Sequence, residues 1–160
     1  MARIRPAGAA DIEAVARLSR LVRGICLPYL PCLHSPAEDL VFFRDHVFRN
    51  ETVWVGGDTT IEGFCAWRPG SPGWVDHLYV HPDCHGRGLG SSLLSQAMEG
   101  QASLRLWVFQ RNVQAARFYI ARGFCVVERT DGRRNEEREP DMLMEWTRGC
   151  QRGGDGGLIP

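Results

Sequence analysis

The segment that most constrains this chain is His81-Pro82-Asp83-Cys84-His85-Gly86-Arg87-Gly88-Leu89-Gly90-Ser91-Ser92-Leu93-Leu94. A strand-like run, Trp74-Val75-Asp76-His77-Leu78-Tyr79-Val80, stops at Pro82, and a helical pattern runs from Gly88 to about Glu99. Between them Gly86, Gly88 and Gly90 allow backbone angles that a β-carbon resists. With no side chains in the way, successive N–H groups converge on one point beside a helix N-terminus, which makes an anion site suited to phosphate. Arg87 adds a planar donor fork. The competing reading is a tight turn that uses small residues for packing, but strand, turn and helix all agree with the anion site. The spacing is G-x-G-x-G, it falls mid-chain, and a hairpin precedes it, so a dinucleotide-binding βαβ unit is a poor match.

The rest of the chain fits one domain over residues 1–148, with a glycine-rich, flexible tail at 149–160. Arg3-Ile4-Arg5 reads as a first strand. Ile12, Val15, Leu18, Val22 and Ile25 recur at helical intervals after Asp11. Ser35-Pro36-Ala37-Glu38 is a capping box that opens a second helix to about Phe48, with Leu40, Val41, Phe43 and Val47 on its expected buried side. Thr52–Val55 and Ile61–Trp67 read as strands around Gly56-Gly57-Asp58. Leu104–Val108 is a strand, Asn112 to Arg122 a helix closed by Gly123, and Phe124–Glu128 and Met142–Trp146 are strands on either side of a charged loop. Strands that alternate partly with helices predict a mixed α/β (α+β) sheet.

Composition removes several classes of function. The chain has 19 basic and 19 acidic residues, so it lacks the basic excess of a nucleic-acid binder. Every basic residue is Arg, and with no Lys there can be no Walker A loop, Schiff base or pyridoxal phosphate anchor. No apolar run is long enough to span a membrane, and no secretion signal is visible, which leads us to expect a cytoplasmic protein. The six cysteines lack paired spacing and read as reduced thiols. His77, His81, Cys84 and His85 could suggest zinc, but Pro82 interrupts the run, and no metal is expected.

Leu78-Tyr79-Val80-His81-Pro82 followed by Gly86-Arg87-Gly88-Leu89-Gly90 resembles the acyl-coenzyme A signature Q/R-x-x-G-x-G/A of the GNAT N-acetyltransferases, with His85 in the place of Gln or Arg. Asn112 to Phe124 resembles the family block N-x-x-A-x-x-F-Y-x-x-x-G-F, through Asn112, Ala115, Phe118, Tyr119, Gly123 and Phe124. The resemblance implies a twisted, mostly antiparallel sheet of about seven strands flanked by four helices, with a splayed strand pair at the coenzyme. It also implies acetyl-coenzyme A as co-substrate. Leu78, Tyr79 and Val80 would pair with the pantetheine arm as an added strand would. Gly86 to Ser91, with Arg87 in the loop and Leu89 in the first helical turn, would hold the pyrophosphate, and His85, Asn112, Ala115 and Phe118 would also line the coenzyme. A homodimer fits the family as well.

For the chemistry, Tyr119 matches the family tyrosine near the sulfur and would protonate the leaving thiolate. Some members carry a Glu where this chain has Trp107, a feature that favours a rival reading as a non-catalytic acyl-coenzyme A sensor. Of the residues on the strand before the loop, His77 is the expected base, with an unperturbed pKa of about 6.5. Asp76 is the alternative, since strand alternation turns the two to opposite faces unless a bulge intervenes. A third possibility is a water chain that carries the proton past both. The acceptor amine, on a small molecule or a peptide, would meet Tyr29, His34 and Glu137 from the two flanking loops.

Overall fold

The computed structural model describes residues 2–150; most of the expected tail, 151–160, lies outside them. The strands are β1 (Arg3–Pro6), β2 (Thr52–Gly57), β3 (Gly63–Arg68), β4 (Gly73–Val80), β5 (Ser103–Phe109), β6 (Cys125–Arg129) and β7 (Asp141–Thr147). They form one sheet in the order β1-β2-β3-β4-β5-β7-β6. Every neighbouring pair is antiparallel except β4 and β5. The helices are α1 (Ile12–Cys26), α2 (Pro36–Phe42), α3 (Phe48–Asn50), α4 (Leu89–Met98) and α5 (Val113–Ile120).

The sheet has a core on each face. On one, Val15, Leu18 and Val22 of α1 meet Val53, Val55, Phe64 and Ala66 of β2 and β3. On the other, Leu93, Leu94 and Ala97 of α4 and Ala116 and Tyr119 of α5 meet Cys65, Val75, Leu104, Leu106 and Val108. Gly63 lets α4 lie close on the sheet, because a β-carbon there would come within 3.0 Å of Leu89 and 3.2 Å of Leu93. None of the described helices is long and apolar enough to cross a membrane.

Two expectations about burial fail. Ile25 and Val41 continue the helical period, yet both are exposed. The second helix also widens into a π turn over Phe43–Val47, which buries Phe43 and Val47 and leaves α2 itself with no buried residue. Ser35 does cap it as expected: its hydroxyl accepts from the Glu38 N–H, and the Glu38 carboxylate accepts from the Ser35 N–H.

Candidate active site

The parallel pair β4 and β5 is matched only at Gly73↔Leu104 and Trp74↔Arg105. Beyond Trp74 the strands part, and the far half of β4 keeps a free backbone edge. A cleft of about 260 Å³ fills the parting, with Val22 and Cys26 of α1 and Leu27 just after it at one end and residues of α4 and α5 at the other. The cleft therefore crosses the sheet, so a ligand on the α4–α5 side can present its end to the α1 side.

The residues expected to hold the coenzyme line this cleft, from Leu78, Tyr79 and Val80 through His85, Gly86 and Gly88 to Ser91, Asn112, Ala115 and Phe118. Leu89 and Gly90 line it too; Arg87 alone of that set does not. Gly86 has φ 76° and Gly88 φ 84°, and a β-carbon at either would meet nothing within 4 Å. The left-handed backbone and the open space beside it make a cradle for a group that approaches the main chain closely. The His85 ring turns back, and its Nε2–H donates to the Val80 carbonyl at 2.8 Å. Asn112 caps α5, its side-chain oxygen accepting from the Ala115 N–H at 3.3 Å.

Arg122 also lines the cleft, and the sequence reading missed it. Its guanidinium lies 3.6 Å from the Phe118 ring centroid, donates to the Phe118 carbonyl at 2.8 Å, and donates to the Ser91 hydroxyl. No described carboxylate pairs with it, so its positive charge is free to meet an anion at the α4 N-terminus.

Tyr119 lines the cleft and is buried against Phe118 and Phe124, whose ring centroids lie 5.2 Å and 5.4 Å away. Burial pushes its phenol well above the ordinary tyrosine value, so the group keeps its proton across the neutral range.

On the other face, the ladder between β3 and β4 shifts at Ala66/Trp67, pairing Ala66 with His77 and Trp67 with Val75. Asp76 is the extra residue of this β-bulge. The bulge undoes the expectation that alternation sends Asp76 and His77 to opposite faces. Trp67 packs toward α4, so Arg68 faces α1. Asp76 reaches Arg68 there through two hydrogen bonds, at 2.6 Å and 3.0 Å. His77 faces the same way, among the rings of Phe42, Phe43, Phe64 and Tyr79. Burial lowers its pKa to about 4, with Arg23 and His46 adding to the effect against the pull of Asp76. At neutral pH the imidazole is therefore uncharged and a weak base, not the group poised near 6.5 that the bare side chain suggested.

The loop after α1 and the loop between β6 and β7 meet. Arg111 lies 4.1 Å over the Tyr29 ring, His34 pairs with Glu136 at 2.6 Å, and Arg23 pairs with Glu137 at 3.0 Å. Arg23 is held above the ordinary arginine value: burial alone would lower it, but the Tyr79 phenol and Glu137 overcome that. Glu137 and Glu139 are thus paired with Arg23 and Arg111, and Glu136 with His34. Trp107, 47% exposed on β5, lines a second cavity beside Glu137.

An acetyltransferase (GNAT) domain profile matches residues 49–126. A peptidyl-lysine N-acetyltransferase, YiaC of Escherichia coli, is 30% identical over 104 residues, which cover 64% of this chain and 68% of that protein. The chain belongs to the GNAT acetyltransferases. The GNAT fold agrees with solved structures. Apo YjaB from Escherichia coli superposes with a TM-score of 0.72 at 21% identity, covering 91% of this chain and 97% of that one. The PaiA N-acetyltransferase of Thermoplasma acidophilum, in complex with coenzyme A, gives 0.70 at 20% identity, covering 92% and 99%. As a GNAT protein the chain is an acyltransferase, which sets aside the reading as a non-catalytic sensor.

Proposed function

We propose that this GNAT enzyme transfers an acetyl group from acetyl-coenzyme A to a primary amine of a peptide or small molecule, by direct attack in a ternary complex. The observation that carries the reading is the parting of β4 from β5 over a cleft that crosses the sheet. On the α4–α5 side, the free edge of β4 pairs with the pantetheine amides, and the Gly86–Gly90 amides and Arg122 hold the pyrophosphate. The thioester then lies at the parting, between Tyr119 on one face and His77 with Asp76 on the other. An amine enters between the two acceptor loops and attacks from the α1 side. Tyr119, kept protonated by burial, gives its proton to the departing thiolate. A peptide acceptor is in keeping with the peptidyl-lysine activity named for YiaC.

The test is thiol release from acetyl-coenzyme A across a panel of small amines and lysine peptides. The reading expects release that depends on the amine, with the acetyl group recovered on nitrogen. Release at the same slow rate with and without every amine would overturn it.

A further inference from the structure

We propose that Glu51 and Asp76 share one proton and together take up the proton of the attacking ammonium, with Glu51 Oε2 as the atom that receives it. The proposal rests on the acetyl-transfer reading above. Glu51 immediately precedes β2, two residues before Val53, which faces α1, so it stands on the acceptor face of the sheet. Its Oε2 is buried and has no hydrogen-bond partner, the only carboxylate oxygen so placed among the described residues. A buried polar atom without a partner is uncommon in folded proteins and calls for an explanation, such as a catalytic role.

The groups that face Glu51 are Asp76 from the bulge of β4 and Arg68 from β3. Arg68 holds Asp76 in place through its paired hydrogen bonds. The bulge thus presents a fixed carboxylate to a second carboxyl, just where β4 leaves β5. Two carboxyls so close do not both ionise easily, and one proton stays between them. Burial first, and the charge of Asp76 second, raise Glu51 to about 7, while Arg68 pulls the other way. A base with that value is matched to work at neutral pH. The two bases expected on β4 are less suited: His77 is held at about 4, and Asp76 by itself is engaged by Arg68.

In the reaction the ammonium passes one proton, through water, to Glu51 and on to solvent. The freed lone pair forms the N–C bond, and the C–S bond breaks. The thiolate takes the Tyr119 proton, and the second proton shed by the nitrogen restores the phenol.

Glu51→Gln tests this directly, because Gln copies a neutral carboxyl in shape but cannot accept the proton. The expected result is a fall in kcat of about 10²–10⁴-fold with acetyl-coenzyme A affinity unchanged. The acidic limb of the kcat profile, centred in the parent at about 7, should flatten. A purely structural Glu51 would instead leave rate and limb as in the parent, which overturns the proposal. Asp76→Asn removes the neighbouring charge and should move the limb to lower pH; an unmoved limb also overturns it. Infrared difference spectra give a readout independent of turnover: a protonated carboxyl band that disappears near neutral pH in the parent and is missing in Glu51→Gln. If the parent acetylates no amine, the functional reading fails, and the spectra still decide the shared proton. If the parent is active and no such band exists, the shared proton fails by itself.

Discussion

Replacing Gly88 with Val should weaken acetyl-coenzyme A binding by at least about tenfold, which calorimetry on the folded variant would show. The left-handed φ of 84° costs a residue with a β-carbon about 1–2 kcal/mol, and a β-branched one more. That much energy alone is near a factor of ten if the loop must regain its shape on binding. The added methyls would also occupy the open space beside the loop, where we place the pyrophosphate. Gly100→Val is the matched control. Gly100 has φ 73° and open space around it as well, but it lies beyond α4, away from the cleft. Both variants should lose comparable thermal stability, and only the Gly88 variant should lose coenzyme affinity. Equal affinity in the two would show that the loop does not hold the phosphates.

Tyr119→Phe should lower kcat by about 10²–10⁴-fold under conditions where chemistry limits the rate, the range that a general acid typically contributes. Coenzyme affinity should stay close to that of the parent, because the edge contacts with Phe118 and Phe124 belong to the ring and survive. Loss of activity together with loss of affinity or stability would mark Tyr119 as a packing residue only. Full activity would mean that the thiolate takes its proton from water.

The glycine loop was legible in the sequence because its signal is local. Proline, glycines and the change of period sit within one short segment, and the structure places a strand, a left-handed turn and a helix there. The helix after Asn112 was legible for the same reason. Arg122 was not, because an arginine near a helix end reads as surface charge. Its meaning comes from Ser91, 31 residues away, and from the ring of Phe118. The bulge at Asp76 leaves no glycine or proline mark, since it is set by register against β3. Glu51 escaped notice because its neighbours Asp76 and Arg68 come from two other strands. The partners of the β6–β7 loop were hidden for the same reason: its carboxylates meet Arg23, His34 and Arg111 from distant segments, and a count of Glu residues cannot show that.

The central claim is that acetyl-coenzyme A lies as an added strand in the parting between β4 and β5. Amide hydrogen exchange with and without acetyl-coenzyme A tests it most directly. The account predicts that the amides of Leu78 to Val80 that point toward β5, and those of Gly86 to Gly90, become protected when the ligand is present, while the β6–β7 ladder is unchanged. Protection confined to other parts of the sheet, or none at saturating ligand, would contradict it.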